Sequence, residues 1–476
     1  MESDYFQKIY DNHFFDGEGR AVIAQLTEHL EYNIHNTSKK TIAWKSPEEE
    51  LNFWRHYFES GRNKDFFEET LRRTTHIHNP KYVGHQVAAP APITALTALV
   101  GALLNNGGAV FEMGMATNAM ERIVTDVLCE KMGWEADARG ILTSGGTLAN
   151  LTALLSARRA KIDEDIWNDG LTKPLGVMVC EEAHYCIERA AKIMGLGEKG
   201  IVKIPASHNF AMDVTQLEAA YAQATKEGIT IFAIVGSAPS TATGAYDNLE
   251  AIGAFANNYN LWFHVDGAHG GAAIFSRKYR HLLNGIENAD SVVIDGHKMM
   301  LMPTITTALL YRNGNDSYAT FSQTADYLLT EVDEEDWYNL GKRTFECTKT
   351  MMSMHWFVLL KFYGEELFDK FVTRQYDLAK DFELLLEQQQ DFEIAVSPAS
   401  NIICFRFVKP ELNRGELNHL NGQIREQLLS QGEFYLVQTK LRGSLFLRTT
   451  LMSPFTEKQH LRHLLQTIRA TAHSIN

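Results

Sequence analysis

The chain has 476 residues, 45% hydrophobic and 22% charged, enough for one large domain with attachments or for two to three ordinary ones. Its 45 basic and 59 acidic side chains leave a formal net charge of −14, which argues against a nucleic-acid partner held by a basic surface. Five cysteines (Cys129, Cys180, Cys186, Cys347 and Cys404) form no C-x-x-C pair and no zinc-finger spacing, the usage of a reducing, cytoplasmic compartment.

The N-terminal stretch MESDYFQKIYDNHFF lacks the basic-then-apolar plan of a signal peptide. Residues 1–75 are polar and aromatic at helical spacing, which predicts a helical arm that packs on a neighbour or a partner subunit. Inside it, SPEEELNFWRHYFESG offers Ser46 as a cap and Glu49 as the side chain that reaches back in a capping box. The apolar run ITALTALVGALL behind Pro90 and Pro92 is too short to span a membrane, so no membrane partner is expected.

Next comes ILTSGGTLANLTALLSARRAK (141–161). Gly145 and Gly146 let the backbone approach a ligand, and Thr147 opens a helix whose first amides favour an anion. Taken alone, such a segment is more often a plain cap. Four short apolar runs follow: LGVMVC (175–180), ITIFAIV (229–235), LWFHV (261–265) and SVVI (291–294). They show little polar alternation, as strands buried on both faces do. Helical stretches such as DVTQLEAAYAQATKEG and DNLEAIGAFANNYN separate them. The pattern predicts an α/β fold with a large doubly wound, mostly parallel sheet over residues 76–349. From residue 350 to 476 a long helical stretch leads to short strands at NIICFRFV and LFLRTTL, then to a last helix starting near Thr456, with Gln459 completing a capping box. That texture predicts a smaller α+β C-terminal domain.

In an open parallel sheet, ligands sit beyond the carboxyl ends of the strands. Those ends here read EEAHYC with His184, GSAPSTATGAYD, Asp266 with GAHGG, and DGHK. A lysine buried at a strand end can lose its charge and act as a nucleophilic amine. The plainer alternative for Lys298 is a stem on apolar surface with its ammonium in water. Asp266 ends a buried strand and needs a cationic partner, either a protonated ring nitrogen or an arginine. His184 either stacks on a flat ring or caps a strand end. Together a lysine, an aspartate, an anion-binding helix start and a histidine are what pyridoxal phosphate requires. His264, Asp266 and His269 also suggest a metal site, but H-E-x-x-H and further ligands at metal spacing are missing, so no metal is expected. There is no G-x-S-x-G elbow either.

In order along the chain, NPKYVGHQ, TSGGTLANLTAL, HYCIERAAKIMG, STATGAYD, HVDGAHGG, DGHK and LRTTLMSP resemble the group II pyridoxal-phosphate-dependent decarboxylases. The resemblance runs from about residue 76 to 455. It implies fold-type I, the pyridoxal-phosphate-dependent transferase fold, in a homodimer with active sites at the subunit interface. It implies Lys298 as the Schiff-base lysine, Asp266 as the partner of the pyridinium nitrogen, and His184 stacked on one ring face with Ala268 on the other. Gly145, Gly146, Thr147 and His297 fall at the phosphate side, and Thr241 at a polar cofactor contact. Three positions depart from the family pattern: Pro239-Ser240-Thr241 replaces a frequent Gly-Thr-Thr, Gly296 replaces the usual proline before His-Lys, and Cys186 replaces a frequent serine. Tyr338, in TEVDEEDWYNLGKR (330–343), is the candidate acid that protonates Cα. His85, in YVGHQVAAPAP, is expected at the substrate mouth.

The implied activity is decarboxylation of a small-molecule amino acid. The look of Gly-His before a proline-containing stretch, and of FECTK (345–349), favours a diamino acid: 2,4-diaminobutyrate, lysine or ornithine. Glu331, Asp333 and Glu334 are candidate partners for its distal amine. Glutamate, aspartate or an aromatic amino acid is the alternative substrate. An aminotransferase or lyase on the same fold is the alternative reaction, with Arg448 holding an α-carboxylate.

Overall fold

The structure, a computed structural model, describes residues 2–35, 40–321 and 336–475. The chain divides into two compact units: Gln86–Glu383 with Val396–Ile403, and Met1–His85 with Leu384–Ala395 and Cys404–Asn476. The expected cut at 349/350 thus falls inside the first unit.

The first unit is built on seven strands: β1 (Arg139–Thr143), β2 (Leu175–Cys180), β3 (Ile201–Ile204), β4 (Thr230–Ser237), β5 (Trp262–Asp266), β6 (Ser291–Asp295) and β7 (Thr307–Tyr311). Their spatial order is β1-β7-β6-β5-β4-β2-β3. Strands β2 to β6 run parallel, and β7 runs against both β6 and β1. The four runs expected from sequence are β2, β4, β5 and β6. All of their residues are buried except Thr230, because the sheet is covered on both sides. Along β5, His264 reaches Asn150 of the helix Gly146–Lys161. Its neighbour Phe263 faces the other way, 3.3 Å from where a Cβ on Gly253 of the helix Leu249–Asn258 would stand. Ala149, Ala153 and Ala157, four residues apart on the helix Gly146–Lys161, are fully buried in the core. Their small side chains bring that helix close to the sheet.

The long C-terminal helical stretch is Ser353–Glu387, bent at Gly364, whose φ of +67° breaks the helical path. The second unit holds a four-stranded sheet of β8 (Phe392–Ile394), β9 (Ile402–Phe407), β10 (Val437–Leu441) and β11 (Ser444–Thr450), in the order β10-β11-β9-β8. Residues from the N-terminal side join it: the Thr41 amide donates to the Gly432 carbonyl, 2.7 Å, and Lys81 pairs with Glu433, 2.6 Å. The Ser46 and Glu49 capping box forms as expected. The one expected near Thr456 does not. The last helix is Lys458–Ser474, and its box is made one residue later by Glu457 and His460. The Thr456 hydroxyl instead donates to the Pro80 carbonyl, 2.7 Å. Among the described residues, no helix is long and apolar enough to cross a membrane.

Candidate active site

Strands β1, β2, β4, β5 and β6 end at one edge of the sheet, and the segments that follow them enclose a cavity of about 310 Å³. Ser144, Gly145, Gly146 and Thr147 come from the turn after β1, His184 and Cys186 from the turn after β2, and Pro239 and Thr241 from the loop after β4. Asp266, Ala268 and His269 follow β5, while Asp295, His297, Lys298 and Ile305 follow β6. The structure therefore brings all nine expected cofactor contacts to one wall. A slightly larger hollow, about 350 Å³, is bordered by Arg158, Arg159, Glu164 and Asp165. There Arg159 is spent on Asp165 at 3.4 Å, and no lysine lies in its wall.

Lys298 stands among side chains that are nearly or wholly buried, Met299, Met300, Leu301 and Met302. Its Nζ lies 2.8 Å from Oδ2 of Asp295, a carboxylate only 2% exposed. Burial, the largest single influence, pushes the lysine pKa down, but the charge and hydrogen bond of Asp295, with the more distant Asp266, together hold Lys298 above its ordinary value. Burial alone predicts a neutral amine; the acid at the end of β6 reverses that. Burial pushes Asp295 up, and Lys298, His297 and the Thr307 hydroxyl together bring it below the usual carboxylate range. Thr307 Oγ1 donates to Asp295 at 2.6 Å. His297 Nδ1 faces the Thr306 carbonyl at 3.1 Å, an acceptor only, which leaves Nε2 toward Asp295 at 3.6 Å. Ahead of this loop, the Ala88 and Ala91 amides donate to the carbonyls of His297 and Leu301, at 3.1 and 2.9 Å. The proline-containing stretch after His85 thus lies directly on the Lys298 loop.

Asp266 is 9% exposed. Its Oδ1 accepts from the Ala268 amide at 3.2 Å, and its Oδ2 faces the Cys186 thiol at 4.0 Å. Among the described residues, no side-chain cation lies within ion-pair distance of it, so a buried carboxylate faces the cavity without a cationic partner. His184 caps the helix Tyr185–Ile193, its Nδ1 accepting from the Cys186 amide at 3.3 Å. Burial lowers its pKa, so the imidazole is neutral and suited to lie on a flat ring. Gly145 has a φ of +112°, and a Cβ on Gly146 would stand 3.0 Å from Asp295 Oδ1. These glycines leave a cradle at the start of the helix Gly146–Lys161, where the first amides have no intrahelical acceptor.

This donor set fits pyridoxal phosphate. It provides an amine for the aldehyde, a carboxylate lacking a cation for the ring nitrogen, and a glycine-lined helix start for the phosphate. Among the described residues, no cluster of three or more His, Cys, Asp or Glu side chains is placed to hold a metal ion. His264 instead bonds Ser291 and Asn150, and His269 bonds Asn401 at 2.7 Å.

Tyr338, His85 and Arg448 are not among the residues that line this cavity. Tyr338 packs its ring against Phe111 and Trp337, with centroids 5.4 and 5.7 Å away. Glu331, Asp333 and Glu334 fall outside the described residues. His85 and Arg448 belong to the second unit, where His85 lies 5.6 Å from the Tyr435 ring and Arg448 is buried in β11. Asp295, which the sequence reading left out of the site, carried a signal: an acid closing an apolar strand, three residues before the lysine.

Comparison with known proteins agrees with the geometry. Residues 65–408 match the family model described as the pyridoxal-dependent decarboxylase conserved domain. The chain is 27% identical to an L-2,4-diaminobutyrate decarboxylase of Acinetobacter baumannii, over 85% of this chain and 82% of that protein. It is 26% identical to an aromatic-L-amino-acid decarboxylase of Bacillus atrophaeus, over 85% and 84% respectively. A crystal structure of mouse CSAD superposes with a TM-score of 0.89 at 23% identity, covering 97% of this chain and 99% of that one.

Proposed function

Because the chain belongs to the pyridoxal-dependent decarboxylases, we propose that it releases the carboxyl group of a diamino acid, 2,4-diaminobutyrate, lysine or ornithine, as carbon dioxide. One observation carries the residue assignment: an amine, Lys298, and a carboxylate without a cation, Asp266, face one cavity beside a glycine-lined helix start.

Pyridoxal phosphate supplies an aldehyde that condenses with amines and a protonated ring that takes up the electron pair freed when a carboxyl group leaves. Lys298 must give up its ammonium proton before its amine can bond an aldehyde, and Asp295 and His297 are the groups beside it. Asp266 would keep a proton on the ring nitrogen. Neutral His184 and Ala268 would hold the ring, and Gly145, Gly146 and Thr147, with His297 and Thr241, would hold the phosphate. Tyr338 as the acid that protonates Cα, and His85 and Arg448 as substrate contacts, rest on resemblance.

A diamino acid is favoured by the YVGHQ stretch and by the diaminobutyrate relative. The aromatic relative, at 26% identity, stands behind the second reading, an aromatic amino acid. Purified protein with pyridoxal phosphate is incubated with diaminobutyrate, ornithine, lysine, glutamate, aspartate, tyrosine and tryptophan, and carbon dioxide and amine are measured. Release from a diamino acid, absent from Lys298→Ala, is the expected result. Release only from aromatic or acidic amino acids overturns the substrate reading. A keto acid in place of carbon dioxide points to an aminotransferase.

A homodimer is part of the proposal. The helix Pro92–Leu104 exposes Leu96, Leu99, Val100, Leu103 and Leu104, an apolar face that a second copy would cover. Sedimentation as a monomer at working concentration would exclude it. A cytoplasmic location is supported by the five free cysteines.

A further inference from the structure

From Trp262 behind the cavity to Asn150, Cys186 and Asp266 in its wall runs a chain of buried polar groups, of which only Asp266 has an assigned role. The Trp262 indole donates to Ser291 Oγ at 2.8 Å. Ser291 Oγ lies 2.8 Å from His264 Nδ1, and His264 Nε2 lies 2.7 Å from Asn150 Oδ1. The Asn150 amide nitrogen donates to the Gly146 carbonyl at 2.9 Å and to Cys186 Sγ at 3.5 Å. Cys186 in turn faces Asp266 Oδ2. All of these side chains are at most 2% exposed, apart from Asp266 at 9%.

The direction of every bond follows from the ends. An indole N–H can only donate, so Ser291 Oγ accepts from it. The Gly146 carbonyl can only accept, so Asn150 must present its nitrogen there and its oxygen to His264. Nε2 of His264 therefore carries the hydrogen. In the neutral ring Nδ1 is then an acceptor, so Ser291 turns its own hydrogen toward it. Burial lowers the His264 pKa to about 4, in keeping with that. Burial also pushes the Cys186 thiol up, so the sulfur keeps its hydrogen and donates to the carboxylate. The chain thus starts at a group that only donates and ends at one that only accepts, and such chains polarise along their length.

We propose that His264, Asn150 and Cys186 are positioning residues: through this one-way chain they hold Asp266 as the ionised, correctly aimed partner of a ring nitrogen. Asn150 also bonds Gly146, so the same side chain ties the phosphate cradle to that carboxylate and fixes the separation of the two. This rests on the assignment of Asp266 to the ring nitrogen.

The test compares affinities, by quenching of protein fluorescence, for pyridoxal phosphate and for its analogue with C–H in place of the ring nitrogen. Wild type prefers the former. His264→Leu is expected to narrow that preference roughly tenfold, the effect of losing a hydrogen bond that supports a charge. His264→Gln, whose side-chain amide can donate to Asn150, restores most of it. A fold defect would weaken both ligands alike. If His264→Leu does not fold, Cys186→Ala carries the same expectation. If Asp266→Asn keeps the wild-type preference, the ring-nitrogen assignment itself fails. If Asp266→Asn loses the preference while the His264 and Cys186 variants keep it, the positioning proposal is overturned. Independently, nitrogen NMR of the cofactor-free chain should find His264 neutral with its hydrogen on Nε2, and a hydrogen on Nδ1 overturns the chain.

Discussion

Replacing Asp295 by asparagine should make Lys298 reactive at lower pH. The two charges are 2.8 Å apart, which at an effective dielectric constant of ~20 is an attraction of roughly 6 kcal/mol, equivalent to about four pH units in the lysine titration. An asparagine oxygen keeps part of that attraction, so a fall of at least ~2 units is expected. What remains acting on the lysine is mainly burial, which lowers its pKa. Only the free amine attacks an aldehyde, so the initial rate of imine formation with pyridoxal phosphate, followed by absorbance across pH, reports the change directly. Near neutral pH the variant should react at least ~100-fold faster. Stability should move the other way. The raised lysine contributes stability below its unfolded value that is lost as pH rises through its folded pKa. The lowered carboxylate contributes stability above its unfolded value that is lost as pH falls through its folded pKa. The pair therefore stabilises the fold between about pH 4 and pH 10, and the variant should melt earlier across that window. A rate profile within ~0.5 pH unit of wild type would refute the account of Lys298 given above.

Three further outcomes are expected. Lys298→Ala should release no carbon dioxide from any amino acid, and reduction with borohydride should leave no cofactor attached to it. Gly146→Val should weaken pyridoxal phosphate far more than unphosphorylated pyridoxal, since even a Cβ there stands 3.0 Å from Asp295; equal losses for both would remove Gly146 from the phosphate cradle. Lys349 and Glu121 form an ion pair with exposures of 0% and 3%, so Lys349→Met should cost ~3–5 kcal/mol by leaving the buried Glu121 carboxylate without its cation. The double variant with Glu121→Leu should recover much of that in denaturant melts, although the Leu142 amide then loses its acceptor.

Much of this was legible in the sequence, for reasons that differ by segment. LGVMVC and LWFHV announce themselves because both faces of a central strand are buried and leave no place for polar residues. IVKI escapes notice because β3 lies at the edge of the sheet, where Lys203 is exposed. TALLY reads equally well as a helix turn, and only its pairing with β1 and β6 makes it a strand. The box at the last helix slipped by one residue because Glu457 and His460 offer a competing pair at the same spacing. In the site, Lys298, Asp266, His184 and Gly146 stood out because charge or flexibility at the end of an apolar strand demands an explanation. The Asp295 pairing was missed for a related reason. Sequence gives the spacing of two charges but not whether the side chains turn toward each other, and burial alone argues for the opposite charge state of Lys298.

Strand β7 runs against its neighbour β6, which means that the chain leaving Asp295 needs no crossover helix to come back. It returns at the same edge within the span from Gly296 to Thr306, closed by the Gly296 amide on the Thr306 carbonyl at 2.8 Å. Asp295 and Thr307 are register partners across that closure, and the Thr307 hydroxyl bonds the Asp295 carboxylate. Lys298 is therefore mounted on a short arch with both feet set in adjacent strands of a buried sheet. The backbone of the arch is held at both ends, and the four-carbon stem of the lysine is the flexible link from that backbone to the cavity. It also makes Lys298 sensitive to the length of the arch: the register of β7 is held by its buried side chains and by pairing on both sides, so one residue added or removed between Gly296 and Thr306 would be taken up within the arch and displace the lysine.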